Sequence, residues 1–141
     1  MNKMIQLIYV SSAVWLLSEK ELIDLLNKAR ARNISRNVTG MLLYAGGKFL
    51  QVLEGNSQDV EETYALIQKD IRHAGLQILN KETISERNFP NWSMGFKYLT
   101  EQETKNIKGY TDILNIKQNV HKPDIKNVAK HILYKFKEVN T

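Results

Sequence analysis

Three observations in the sequence predict an α+β fold of the ferredoxin-like type, with the element order βαββαββ. Segments with a period of two, typical of strands, alternate with two amphipathic segments of helical spacing. Gly46 and Gly47 lie between two of the strands and favour a tight hairpin, because glycine accepts a positive φ. The plan predicts one sheet with both helices on the same face.

The first strand and the first helix come at the start of the chain. Residues 4–10 are apolar and β-branched, which predicts a strand with Tyr9 on a face shared with apolar neighbours. Ser18 and Glu21 have the spacing of a capping box and predict the start of a helix. We expect this helix to end near Asn33.

The hairpin and the second helix follow. Residues 38–45 and 48–54 are predicted to form the two strands on either side of the glycine pair. Asn56 or Ser57 is suited to cap the second helix, and Gly75 is expected to end it.

The rest of the chain adds two strands and a helical tail. Strands are predicted over residues 76–84 and 92–98, the second with a clean alternation of side chains. Residues 1–99 then form the main domain, and 100–141 a C-terminal extension of helices packed on the same domain. Because both helices of the core occupy one face of the sheet, we expect the tail to cover the other face.

The composition excludes several classes of protein. The chain has 141 residues, 43% of them hydrophobic, which suits one domain, and it contains no cysteine for a disulfide or a zinc–thiolate site. The absence of cysteine fits the cytoplasm, where we expect the protein. No apolar run approaches the roughly 18 residues of a membrane span, so we expect no membrane partner. The net charge of +5 includes a lysine surplus in 101–141, which is typical of a solvated helix face and does not require a nucleic acid.

A polar residue among apolar ones on a core strand is the main indication of a site. Gln51 lies between Phe49 and Leu53 on the predicted third strand, where burying an unpaired amide costs about 1–3 kcal/mol. The first and third strands of this fold are neighbours, which we expect to be parallel, so Tyr9 and Gln51 can face the same space under the helices. On spacing alone, a hydrogen bond that only satisfies both groups is the simpler interpretation.

Four segments resemble one known family. These are NVTGMLLYAGGKFLQVLEG at 37–55, IYVSS at 8–12, DIRH at 70–73 and ERNFPNWSMGF at 86–96. Together, and in this order, they resemble BLUF domains, which sense blue light with a flavin. The resemblance covers residues 3–98, and the joint presence of the segments makes it specific.

The resemblance implies a light-driven switch. Tyr9 matches the tyrosine that donates an electron and a proton to the excited flavin, and Gln51 the glutamine that connects this tyrosine to the ring. Trp92 and Met94 match the pair on the last strand that relays the signal.

The resemblance also implies the residues that hold the flavin. Leu25 and Ile67 match the aliphatic residues on either side of the ring, and Asn33 the asparagine at its polar edge. Arg32 is a departure, since the family often has asparagine or histidine there. Side chains near the rest of the flavin are implied at Arg30, Asp70, Arg72 and His73.

The implied protein is a photoreceptor and not an enzyme. FAD is the family's usual ligand, with FMN or riboflavin as alternatives, and a homo-oligomer and a protein partner such as a response regulator or transcription regulator are expected. Two alternatives use the same architecture: a basic RNA-binding module with aromatic residues exposed on its sheet, and an acylphosphatase-like hydrolase. The hydrolase needs an anion-binding loop near the first strand, where the sequence has no convincing one.

Overall fold

The computed structural model describes residues 3–15, 17–90, 95–98 and 129–134. Within them the elements are β1 (Met4–Ala13), α1 (Glu19–Ser35), β2 (Thr39–Ala45), β3 (Lys48–Asn56), α2 (Ser57–Gln68), β4 (His73–Thr83) and β5 (Gly95–Tyr98), with residues 129–134 helical. This order confirms the predicted βαββαββ plan.

One sheet contains all five of these strands, in the order β4-β1-β3-β2-β5. The first four are antiparallel to their neighbours, and β5 is added parallel to β2 at the edge. The expectation that β1 and β3 are parallel was wrong. The α1 crossover returns the chain in the direction of β1, and the hairpin then reverses it, so β3 must run antiparallel to β1.

Local signals explain the start of α1 and the turn between β2 and β3. The Ser18 side chain accepts a hydrogen bond from the Glu21 amide at 3.2 Å, and the Glu21 carboxylate accepts one from the Ser18 amide at 3.1 Å, which completes the predicted capping box. Gly46 and Gly47 have φ values of 55° and 79°, as a two-residue hairpin turn requires.

Gly75 does not have the predicted function of ending α2, which already ends at Gln68. It lies inside β4 with a φ of 64°, where the register with β1 shifts between Val10 and Ser12. A glycine accepts the backbone conformation of such a bulge.

Two apolar cores lie on opposite faces of the sheet. One lies under α1 and α2 and includes Leu22, Leu26, Val60, Ile67 and Tyr9. Both helices therefore cover the same face, as predicted.

The second core contains side chains of β1, β2 and β3 together with Ala129, Ile132 and Leu133. Residues 129–134 thus pack on the face predicted for the tail. The other residues of the predicted C-terminal extension, 100–128 and 135–141, lie outside the described part of the chain.

Among the described residues, no helix is long and apolar enough to span a membrane. The same residues contain no group of histidine, aspartate and glutamate side chains that could hold a metal ion.

Candidate functional site

Tyr9 and Gln51 form the centre of the candidate site. They are direct partners in the β1–β3 register, and the Tyr9 hydroxyl donates a hydrogen bond to Gln51 Oε1. Tyr9 is 1% exposed and Gln51 5%. The period of two places both side chains on the sheet face that α1 and α2 cover. The structure therefore joins the two polar groups that the sequence singled out.

The surroundings of Tyr9 keep its hydroxyl protonated. Burial raises the pKa of Tyr9 far above its ordinary value of 10, and the positive charge of Arg32 lowers it only in part. The Tyr9 ring also makes an edge-on contact with Tyr64, with ring centroids 5.1 Å apart. A fixed, neutral phenol in this position is a hydrogen-bond donor at ordinary pH.

A cleft of about 420 Å³, including its open mouth, lies over this pair. Its floor comes from the strands, and its walls from α1, α2 and the turn after α2. The floor residues are Tyr9, Ser11, Leu42, Phe49 and Gln51, and the wall residues are Leu25, Lys28, Ala29, Arg32, Ile67, Asp70 and Arg72. The cleft therefore surrounds the Tyr9–Gln51 pair with apolar and charged side chains of the two helices and the turn after α2.

The helical walls follow from the spacing of residues on α1. Leu25, Ala29 and Arg32 are separated by four and three residues and so lie on one side of the helix. Ile67, on α2, lines the opposite wall and is 5% exposed. Aliphatic side chains on two facing helices suit a flat ring between them.

Asp70 and Arg72 form the polar end of the cleft. Arg72 Nε donates to both carboxylate oxygens of Asp70, at 2.9 and 3.1 Å, and Asp70 Oδ1 also accepts from the Arg72 amide at 2.9 Å. The hydrogen bonds to Asp70 raise the pKa of Arg72. This pair closes the turn between α2 and β4.

The structure does not bring every predicted site residue to the cleft. Asn33 is fully buried near the end of α1, and Arg30 is half-buried, but neither lines it. The backbone of His73 begins β4, while its side chain is outside what the structure describes. Trp92 and Met94 also lie outside the described residues.

Several cleft residues were not predicted. Ser11 and Phe49 are two residues from Tyr9 and Gln51 on the same strand faces, so the period of two could have identified them. Lys28 and Ala29 follow Leu25 by three and four residues, which is the corresponding signal on a helix.

The residues of the cleft fit a flavin. Apolar walls suit the faces of its ring system, and the Gln51 amide can exchange hydrogen bonds with the ring's polar edge. Arg32 lines the same cleft, and its buried Nε has no hydrogen-bond partner among the described residues. An unused donor of this kind suits the carbonyl and nitrogen acceptors of a flavin.

Known proteins that are similar to this chain include larger light-regulated proteins. The chain is 33% identical over 89 residues to the photoactivated adenylate cyclase subunit beta of Euglena gracilis, a match that covers 62% of this chain and 10% of that protein. It is 34% identical over 70 residues to the blue light- and temperature-regulated antirepressor BluF of Escherichia coli, covering 50% of this chain and 17% of that one. The chain thus spans about a tenth to a sixth of the length of these relatives.

Solved structures extend the likeness to the fold. The dark-state structure of the BLUF protein BlrB matches with a TM-score of 0.75 and 26% identity, over 96% of this chain and 98% of that one. A family model described as sensors of blue-light using FAD matches residues 4–95. The chain therefore belongs to the BLUF family, whose members sense blue light with FAD.

Proposed function

We propose that this chain senses blue light through a hydrogen-bond switch between Tyr9 and Gln51, and passes the signal to a partner protein. The observation that carries the proposal is the buried hydrogen bond from the Tyr9 hydroxyl to Gln51 Oε1 at the floor of the cleft. A bound flavin supplies the absorption of blue light and accepts an electron and a proton.

Tyr9 is the donor of that electron and proton. Its hydroxyl proton is already directed at Gln51 Oε1, which gives the proton a path out of the phenol. When the electron and the proton return to Tyr9, no covalent bond between the flavin and the protein has formed. The only lasting difference is the state of the Gln51 side chain.

Gln51 is suited to store that difference. Its amide has an acceptor at one end and a donor at the other, so rotation or a change of tautomer exchanges them. The changed hydrogen bonding at the ring's polar edge then moves the absorption to longer wavelength. Leu25 and Ile67 hold the ring between the helices, and Asn33, Arg30, His73 and the Asp70–Arg72 pair are the proposed partners of its polar parts.

The signal can leave the site through β3 itself. Leu50 and Val52, the two neighbours of Gln51, belong to the core on the opposite face of the sheet, together with Ile132 and Leu133. A shift of β3 at Gln51 would therefore change the packing of residues 129–134. Trp92 and Met94 are proposed to add a second route for the signal along the last strand. The proposed receiver is a response regulator or transcription regulator, and the chain is proposed to form a homo-oligomer.

The RNA-binding alternative has less support. Stacking of bases requires exposed aromatic residues on a face of the sheet. In the described residues, α1 and α2 cover one face and residues 129–134 pack on the other.

The test is the absorption spectrum of the purified protein in the dark and under blue light. We expect a yellow protein with a flavin spectrum that moves to longer wavelength on illumination and recovers in the dark. A colourless protein that cannot be reconstituted with FAD, FMN or riboflavin would overturn the proposal.

A further inference from the structure

Arg32 is a cation that lines the cleft and has one buried nitrogen, Nε. It lies in the last turn of α1 and lines the cleft together with Tyr9 and Gln51. Its Nε is buried and donates no hydrogen bond to any of the described residues. A buried donor that no protein group satisfies is unfavourable, which points to a ligand with an acceptor at this position.

The charge of Arg32 is also poorly balanced by the residues that the structure describes. The carboxylate of Asp70 interacts electrostatically with Arg32. However, both of its oxygens already accept hydrogen bonds from Arg72. Arg36 and Arg72, the other cations near it, are each paired with an acid, Glu62 and Asp70 respectively. Lys28 lines the same cleft, so this side of it has an excess of cations.

The effect of this charge reaches the floor of the cleft. The guanidinium lowers the pKa of Tyr9, against the larger effect of burial. Burial in turn lowers the pKa of Arg32, although a guanidinium remains charged at any ordinary pH. A fixed cation in a partly desolvated site therefore acts on whatever the cleft binds.

We infer that Arg32 sets the redox preference of the site, by holding the reduced, negatively charged form of a bound flavin more tightly than the oxidised form. The inference rests on the proposed function for its ligand. Reduction adds two electrons and one proton to neutral oxidised flavin and leaves a ring with one negative charge. A guanidinium favours that anion by charge and by directed hydrogen bonds, whereas a neutral amide or imidazole offers only the hydrogen bond.

The test measures the midpoint potential of the bound flavin in anaerobic titrations with dithionite. Wild type is compared with two neutral variants, Arg32→Gln and Arg32→Met, the second of which keeps an apolar stem. We expect each to lower the potential by about 30 mV, which for two electrons equals a tenfold loss of preference for the reduced form. Arg32→Lys, which keeps the charge, is expected to retain most of the wild-type value.

Arg36→Gln is the matched control. It removes the same charge one helical turn further along, outside the cleft, where Arg36 pairs with Glu62 at 2.7 Å. We expect its potential to equal that of wild type. Each protein is loaded once with FAD and once with riboflavin, because riboflavin has no phosphate.

The outcomes separate this inference from the proposed function. Equal midpoint potentials in wild type and both neutral variants would overturn the inference about Arg32. A fall in Arg36→Gln or in Arg32→Lys as large as that in the neutral variants would also overturn it. A fall seen with FAD and not with riboflavin would assign Arg32 to the phosphates and contradict a role at the ring. A wild-type protein that takes up neither flavin would instead overturn the proposed function, and this inference with it.

Discussion

Tyr9 and Gln51 face each other across the β1–β3 ladder, and the tyrosine hydroxyl donates its hydrogen bond to the glutamine carbonyl oxygen. The antiparallel register fixes this pairing, since a slip of one residue would turn Gln51 to the opposite face of the sheet. The pair is buried at the floor of a cleft with aliphatic walls. The proposed switch therefore depends on strand register as much as on residue type.

Tyr9→Phe is predicted to keep the flavin and to lose the reversible spectral shift, because the ring remains while the hydroxyl that transfers the proton is removed. Light-minus-dark absorption spectra measure the effect. Tyr64→Phe is the control, since it removes a neighbouring hydroxyl and keeps the ring contact with Tyr9. A normal shift in Tyr9→Phe, or its loss in Tyr64→Phe, would contradict the assignment.

The pKa of Tyr9 predicts a loss of stability in alkali. Its folded-state pKa lies well above 10, the ordinary value, so above pH 10 the unfolded chain releases this proton and the folded chain keeps it. The free energy of unfolding should then fall by about 1.4 kcal/mol per pH unit from this group. Urea unfolding of wild type and Tyr9→Phe between pH 9 and about 11.5 measures the difference. Parallel curves for the two proteins would show that Tyr9 does not contribute.

Leu25→Trp is predicted to exclude flavin from the cleft while the fold is retained. Leu25 is half-buried on the α1 wall, so a larger ring there fills the space proposed for the ligand. Ile23→Trp is the control, because Ile23 lies on the same helix and is 49% exposed. The ratio of flavin to protein absorbance after reconstitution with FAD decides the question. Equal flavin content in the two variants would argue against this cleft as the binding site.

Glu54 is predicted to be the acidic residue whose loss most reduces stability. It is fully buried, and its carboxylate accepts hydrogen bonds from the amides of Asn88 and Phe89 at 2.8 and 2.7 Å and from Gln6 Nε2 at 2.8 Å. Glu54→Ala leaves these donors unsatisfied and should lower the free energy of unfolding by at least about 3 kcal/mol.

Urea unfolding tests this, with Glu61→Ala as the control. Glu61 pairs with Lys81 at the surface, where such a pair contributes less than about 1 kcal/mol. Similar losses of unfolding free energy in Glu54→Ala and Glu61→Ala would show that the buried hydrogen bonds of Glu54 stabilise the fold no more than the surface pair does.

The sequence was sufficient for the order of the elements and for the faces of the strands. The period of two placed Tyr9 and Gln51 on core faces, and helical spacing predicted the two amphipathic segments that form α1 and α2. The predicted direction of β3 relative to β1 was wrong. That direction follows from the reversal of the chain in the hairpin and not from the type of any one residue.

Other features depend on tertiary packing. Gly75 looks like a helix stop in the sequence, but the bulge in β4 that requires it exists only once β4 pairs with β1. Likewise, the rotation of α1 about its own axis decides that Arg32 lines the cleft and Asn33 does not. Periodicity places both residues near the end of one helix and does not resolve this difference.

The most direct test of the switch is the light-minus-dark spectrum of Gln51→Leu loaded with FAD. Gln77→Leu is the control, because Gln77 is half-buried on β4, the strand on the other side of β1, and lies outside the cleft. We predict that Gln51→Leu binds FAD and shows no reversible shift to longer wavelength, while wild type and Gln77→Leu both shift and recover. A normal, reversible shift in Gln51→Leu would contradict the account.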